Sequence, residues 1–144
     1  MNESEIFEIE ITDVYNYLFS YGGQSHFFRN LAENKKFSGS KCLQCGFVWC
    51  PPRLHCSKCY GATEFVDLVD EGEIITFLEL AIPPSSMKNF KSALGVALIR
   101  LDGADTCLKA IVYSKGIKLI PGTRVKAKYK NRINRISDYY FETV

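Results

Sequence analysis

The rhythm of apolar and polar positions changes twice along the chain. Near the N-terminus it favours helices: Asp13 can cap one running to about residue 21, where Gly22-Gly23 stops it. Ser25 can cap a second, from residue 26 to about 34, that groups Phe27, Phe28 and Leu31 at helical spacing. Helices this short are not stable alone and must lie against something. After residue 63 the pattern becomes that of strands, over 64–69, 73–80, 93–101, 106–113 and 123–133. Asp70-Glu71-Gly72, Asp102-Gly103 and Pro121-Gly122 supply turns between them. Five short strands with one brief other segment, 114–120, predict a small Greek-key barrel of the OB type, with a sandwich as the rival.

The totals narrow the setting. At 144 residues the chain suits one compact domain or two small modules, and an ordinary core is possible without disulfides. The acidic start MNESEIFEIEITD has no basic region before an apolar run, so it does not read as a secretory signal. No apolar run approaches the ~20 residues that span a bilayer; the longest, 93–101, suits a buried strand. A soluble, cytoplasmic protein is expected, and reducing cytosol favours a metal or free thiols over disulfides. The net charge of +2 hides an asymmetry: residues 1–72 carry 6 Lys+Arg against 10 Asp+Glu, and residues 73–144 carry 12 against 6. Twelve of the 19 aromatics lie in the first half. The halves differ in character, as two modules do.

Five of the six cysteines fall within residues 39–61, GSKCLQCGFVWCPPRLHCSKCYG. Cys42/Cys45 and Cys56/Cys59 form two CxxC pairs, and the ten residues between them can fold as a hairpin that brings the pairs together. Each CxxC turn offers two thiolates on one edge of a tetrahedron, and Zn²⁺ takes four sulfurs at ~2.3 Å with no open position. Gly46, and Gly61 after Tyr60, let the chain turn back so that N–H groups point at sulfur, as in rubredoxin knuckles. A structural four-cysteine zinc ribbon is therefore expected, and iron fits the same cage. Thioredoxin-type redox chemistry needs a single CxxC at a helix start, not two matched pairs. Cys50 and Cys107 sit in strand patterns and read as small buried hydrophobes.

The expected fold is thus mainly β with short N-terminal helices: a helical segment over 1–36, a rubredoxin-like zinc ribbon over 37–63, and a five-stranded OB-fold barrel with a C-terminal tail over 64–144. The order "GSKCLQCG", "PPRLHCSKC", "DEGEIITFLEL", "ALGVALIRLDG", "LIPGTRVKAKY" resembles the family of domain of unknown function thirty-five, a zinc ribbon fused to an OB-fold, over about residues 25–135. Its most specific piece is the ribbon with Pro51-Pro52-Arg53 between the pairs; Cys50 departs from the aromatic or apolar residue usual before the prolines. Members stand beside thiolases, hydroxymethylglutaryl-CoA (HMG-CoA) synthases and related enzymes. The resemblance implies an accessory or scaffold subunit that touches CoA thioesters and docks onto a thiolase-type or HMG-CoA-synthase-type enzyme, without catalysis of its own.

A CoA surface needs cations for phosphates and an apolar slot for the pantetheine arm. Alternation over 124–132 puts Arg124, Lys126, Lys128, Lys130 and Arg132 on one face, opposite Val125, Ala127 and Tyr129. A solvated outer face explains the same ladder. The long non-periodic loop 81–91 offers Met87 and Phe90 beside Lys88 and Lys91, for a ligand or a partner protein, or as ordinary surface. Arg53 is expected to face a phosphate or carboxylate, or to form a structural ion pair. Phe19, Phe27, Phe28 and Leu31 can line a slot between the modules or form the core between them. The alternative function is single-stranded nucleic-acid binding; it needs stacking aromatics, and the strands ALGVALIRL and TCLKAIVYS hold one, Tyr113. An enzyme is not expected: there are two histidines, no GxSxG, phosphate-binding glycine loop or HExxH, and a closed metal cage.

Overall fold

A computed structural model describes residues 9–18, 20–80, 94–131, 133 and 138–144. A 3₁₀ turn, Gly22–Gln24, leads into α1 (Ser25–Asn34); eight strands follow: β1 (Phe37–Cys42), β2 (Val48–Trp49), β3 (Thr63–Leu68), β4 (Glu71–Glu79), β5 (Leu94–Leu101), β6 (Leu108–Tyr113), β7 (Arg124–Tyr129) and β8 (Tyr139–Thr143). No helix among the described residues is long and apolar enough to cross a membrane.

Strands β4, β5, β6, β8 and β7 close into a barrel in that order, OB-like in its strand order, with β6–β8 the parallel pair. In β5, Ala97, Ile99 and Leu101 point inward while Leu98 and Arg100 point out, and the register sets Ile99 opposite Leu108 and Ala97 opposite Ala110. That alternation is the period-two pattern the sequence shows. Strand β4 serves both ends of the closure: a bulge between Ile74 and Thr76 bends it from β5 toward β7. At Gly72 a Cβ would meet the Arg100 carbonyl oxygen and the Leu101 Cα, so only glycine admits the crossing.

Two expected elements differ. The strand expected over 64–69 is β3, and it pairs with β1 in the three-stranded sheet β2-β1-β3, outside the barrel. The fifth barrel strand is instead β8, where the sequence suggests a tail; Tyr139, Phe141 and Thr143 alternate inward there. The helix expected from Asp13 to about 21 is absent among the described residues of that span. Val14, Tyr17 and Leu18 are exposed there, and a short helix that buries no apolar face is not stable.

The small sheet and α1 join the barrel through one core. Phe37, fully buried on β1, packs among Phe27 of α1 and Tyr129, Tyr139 and Phe141 of the barrel, with ring centroids 5.4–6.2 Å apart. Polar links add to it. Val48 donates its N–H to the Asp105 carboxylate at 2.8 Å while the Asp105 N–H returns to the Val48 carbonyl at 2.9 Å. The Thr106 hydroxyl accepts from the Cys50 N–H at 2.7 Å and donates to the Cys50 carbonyl at 3.0 Å.

Candidate metal centre and adjoining cleft

The two CxxC segments fold as matching knuckles. In the first, Gly46 N–H donates to the Cys42 carbonyl at 3.0 Å and Cys42 N–H to the Phe47 carbonyl at 2.9 Å; in the second, Tyr60 N–H donates to the Cys56 carbonyl at 2.8 Å and Cys56 N–H to the Gly61 carbonyl at 2.9 Å. Each turn needs a left-handed residue after its second cysteine. Gly46 supplies one at φ +75°, and Tyr60, not Gly61, supplies the other at φ +61°. Gly61 serves by closeness: a Cβ there would stand 2.9 Å from Gln44 Oε1 and 3.4 Å from Cys42 Sγ.

The four expected sulfurs converge. Cys42, Cys45, Cys56 and Cys59 place all Sγ atoms within 4.8 Å of one another, with Cys42–Cys59 at 3.4 Å and Cys45–Cys56 at 3.6 Å. A metal ~2.3 Å from each of four tetrahedral sulfurs separates them by roughly 3.8 Å, so the cluster fits one ion. Main-chain donors prepare it. The Cys45 N–H lowers the Cys42 thiol, and the Lys58 N–H lies 3.4 Å from Cys56 Sγ. Burial raises Cys56, but the Lys58 and Cys59 N–H groups more than reverse this, leaving it at about 6. At Cys59 the Gly61 N–H favours the thiolate, but the crowding sulfurs of Cys42, Cys45 and Cys56 push it up to about 12. Relief of that crowding is what a cation at the centre provides. Such an ion would serve as a structural cross-link, since four protein ligands leave no place for a reacting water.

Cations stand over the aromatic side of the ribbon. Lys58 Nζ lies 4.4 Å from the Phe47 ring centroid, and the Arg53 guanidinium 4.6 Å from that of Trp49. Arg53 Nη1 also donates to Ser57 Oγ at 2.8 Å, and its main-chain N–H to the buried Ser40 Oγ at 2.7 Å. It forms no ion pair among the described residues. An open cleft of about 550 Å³ lies beside it, between the Gly22–Gln24 turn and residues 51–57. Trp49, Ser40 and Ser57 are the residues that sequence reasoning misses here; the chain's single tryptophan, four residues before Arg53, is the one signal for them.

The remaining candidates are scattered. On β7, Val125 and Ala127 are buried and the cations face out, but Arg124 pairs with Asp102 at 2.6 Å and Lys126 with Glu71 at 2.9 Å, and just past the strand Lys130 pairs with Asp138 at 3.4 Å. Lys128 makes no ion pair among the described residues. Met87, Lys88, Phe90, Lys91, Arg132 and Phe19 lie outside the described residues. Phe27 and Leu31 are buried in the shared core, with Phe28 packed against it and stacked on Tyr21 at 3.9 Å. Cys50 belongs to that core, and burial pushes its thiol up to about 12; Cys107 is half-buried and raised by the same cause.

Comparison with known proteins gives a consistent result. The family described as the ChsH2, rubredoxin-like zinc ribbon domain matches residues 29–66. A DUF35 domain-containing scaffold protein of Methanocaldococcus jannaschii is 27% identical over 105 residues, 72% of this chain and 74% of that one. Another of that description, from Methanothermobacter thermautotrophicus, is 30% identical over 77 residues, 52% of this chain and 57% of its own length. Among solved structures, an Ltp2-ChsH2(DUF35) aldolase aligns with a TM-score of 0.64 at 19% identity, over 88% of this chain and 98% of that one. A DUF35-family protein of unknown function from Sulfolobus solfataricus aligns with 0.64 at 21% identity, over 85% and 87%. At these identities the two structures speak for the fold.

Proposed function

From a chain that resembles the DUF35 zinc-ribbon and OB-fold family in ribbon, sequence relatives and fold, we propose a non-catalytic accessory or scaffold protein that binds CoA or acyl-CoA and docks onto a thiolase-type or HMG-CoA-synthase-type enzyme. One observation carries the docking part. Residues 9–18 hold Ile11, Val14, Tyr17 and Leu18 at 74%, 83%, 81% and 103% exposure. A run of large apolar side chains left in water marks a surface that a partner covers. The scaffold description of two relatives supports the same role.

The metal in this reading is zinc, held by Cys42, Cys45, Cys56 and Cys59 as a fixed cross-link; iron in the same four sulfurs is the alternative. The setting is the cytoplasm. The nucleic-acid alternative draws less support, because Arg124 and Lys126 of β7 and Lys130 just beyond it already face carboxylates.

Co-purification tests the proposal. The chain, expressed with a thiolase-type and a synthase-type enzyme of its own genome, is expected to elute with one of them, and Ile11→Glu with Leu18→Glu to elute alone. CoA is expected to bind the complex. Elution alone in every combination, or turnover of CoA thioesters by the isolated chain, contradicts the scaffold reading. Tight single-stranded DNA binding with a steep salt slope replaces it with the alternative.

A further inference from the structure

We propose that the cleft between the Gly22–Gln24 turn and residues 51–57 is a binding site for a phosphate-bearing organic ligand, with Arg53 as its anion-binding group. The cleft's volume, about 550 Å³, falls within the ~300–1,000 Å³ of small-molecule sites. Tyr21 and Gln24 line it from the turn, and Pro51, Arg53, Leu54 and Ser57 from the ribbon.

Arg53 is fixed at both backbone and head group. Its N–H donates to Ser40 Oγ at 2.7 Å, its carbonyl accepts from Thr63 Oγ1, its guanidinium lies over Trp49, and Nη1 is held by Ser57. An arginine normally loses much rotamer freedom when it grips an anion; here that freedom is already restricted, so little ordering remains at binding. The charge is also uncommitted. Arg100, Arg124, Lys126, Lys130, Lys36 and Lys115 each lie within 4.0 Å of a carboxylate, whereas Arg53 pairs with none among the described residues. None of the described residues that line the cleft is acidic.

The donors suit an oxyanion. With Nη1 on Ser57, the rest of the guanidinium fork is available for a bidentate contact, and Ser57, whose oxygen accepts from Arg53, keeps its hydroxyl proton to donate. Gln24 adds an amide. Leu54, Pro51 and the Tyr21 ring offer apolar surface beside the charge, which favours an organic phosphate over a bare ion. The ribbon thereby gains a second use: Trp49, Ser40, Ser57 and Thr63, all on its strands and knuckle, aim Arg53. Where the ligand is CoA, this rests on the reading above and assigns the nucleotide phosphates to Arg53; the cleft itself does not depend on that reading.

The test uses the full, metal-loaded chain. Trp49 is its single tryptophan and lies beneath the Arg53 guanidinium, so its fluorescence reports the site. Pyrophosphate, adenosine 3′,5′-bisphosphate and CoA are titrated in turn, with calorimetry alongside. A saturable Trp49 signal is expected for the organic phosphates, weakened about tenfold or more in Arg53→Gln and partly restored in Arg53→Lys. Lys118→Gln, an exposed cation outside the cleft, is expected to bind as the parent does. Protection of Arg53 from phenylglyoxal by saturating ligand reads the same contact in the unaltered chain. CoA bound equally by parent and Arg53→Gln, without protection of Arg53, overturns the cleft and leaves the CoA reading standing. Bisphosphate bound through Arg53 with no CoA binding upholds the cleft and overturns the CoA reading. No saturation by any of the three overturns the cleft.

Discussion

Ribbon and barrel are both small β structures, yet they are held together by different means. The barrel encloses Ile74, Ile99, Leu101, Leu108, Val112, Val125 and Phe141, and its closure satisfies every edge. The ribbon has almost no such interior. Strand β3 has no fully buried residue, and β1 buries Ser38, Gly39 and Ser40 beside Phe37. What the ribbon lacks in apolar burial, four sulfurs around one ion can supply, and Phe37 ties it to the barrel. A unit built this way can hold a side chain such as Arg53 in place with few residues, because the cross-link rather than a core sets the loop geometry.

That contrast predicts a graded set of responses. Removing the ion with a chelator, or Cys56→Ser, is expected to abolish the ribbon, whose metal contributes ~10–16 kcal/mol in comparable small units. Hydrogen exchange should show protection lost in β1–β3 and lowered, but not lost, in β5 and β6, which keep their own interior but lose Phe37 from the shared core; complete loss in both at once would mean that the barrel has no stability apart from the ribbon. Phe37→Ala comes next, at about 3–5 kcal/mol by denaturant unfolding, and should lower both regions together because the ring fills their shared core. Thr106→Ala is expected to cost about 1–2 kcal/mol, since it leaves the buried Cys50 main chain without its partner. The smallest effect belongs to Asp102→Asn, up to about 1 kcal/mol, for an exposed pair with Arg124. The Arg124 hydrogen bonds hold the Asp102 carboxyl below its ordinary value. Its contribution is therefore present above the ordinary carboxylate range and lost as pH falls through the lowered value. Thermal unfolding of parent and variant should differ at neutral pH and converge in acid.

How much of this is legible in the sequence depends on range. The metal ligands are, because Cys42/Cys45 and Cys56/Cys59 write each half of the site into four consecutive residues. The inward and outward faces of β5 and β7 are, because strand alternation is local. Sheet membership is not: β3 and β4 are separated by Val69 and Asp70 alone, yet one joins the ribbon and the other the barrel. Tyr139, Phe141 and Thr143 alternate as well as any strand, but their parallel pairing with β6 spans a long sequence gap. The cations of residues 124–130 are visible as a ladder, while Asp102, Glu71 and Asp138, which pair with Arg124, Lys126 and Lys130, arrive from other strands and loops. The same holds for Arg53, whose neighbours Ser40, Trp49, Ser57 and Thr63 meet only once both knuckles have folded.

Cobalt(II) substitution of the purified chain tests most directly the single ion on which the ribbon and the placing of Arg53 depend. One equivalent per chain is expected to saturate a visible spectrum with thiolate charge-transfer and tetrahedral bands, displaced by one equivalent of zinc and lost in Cys56→Ser. Four thiols that react freely in the native protein, with no cobalt spectrum and the ribbon amides still protected, would contradict it.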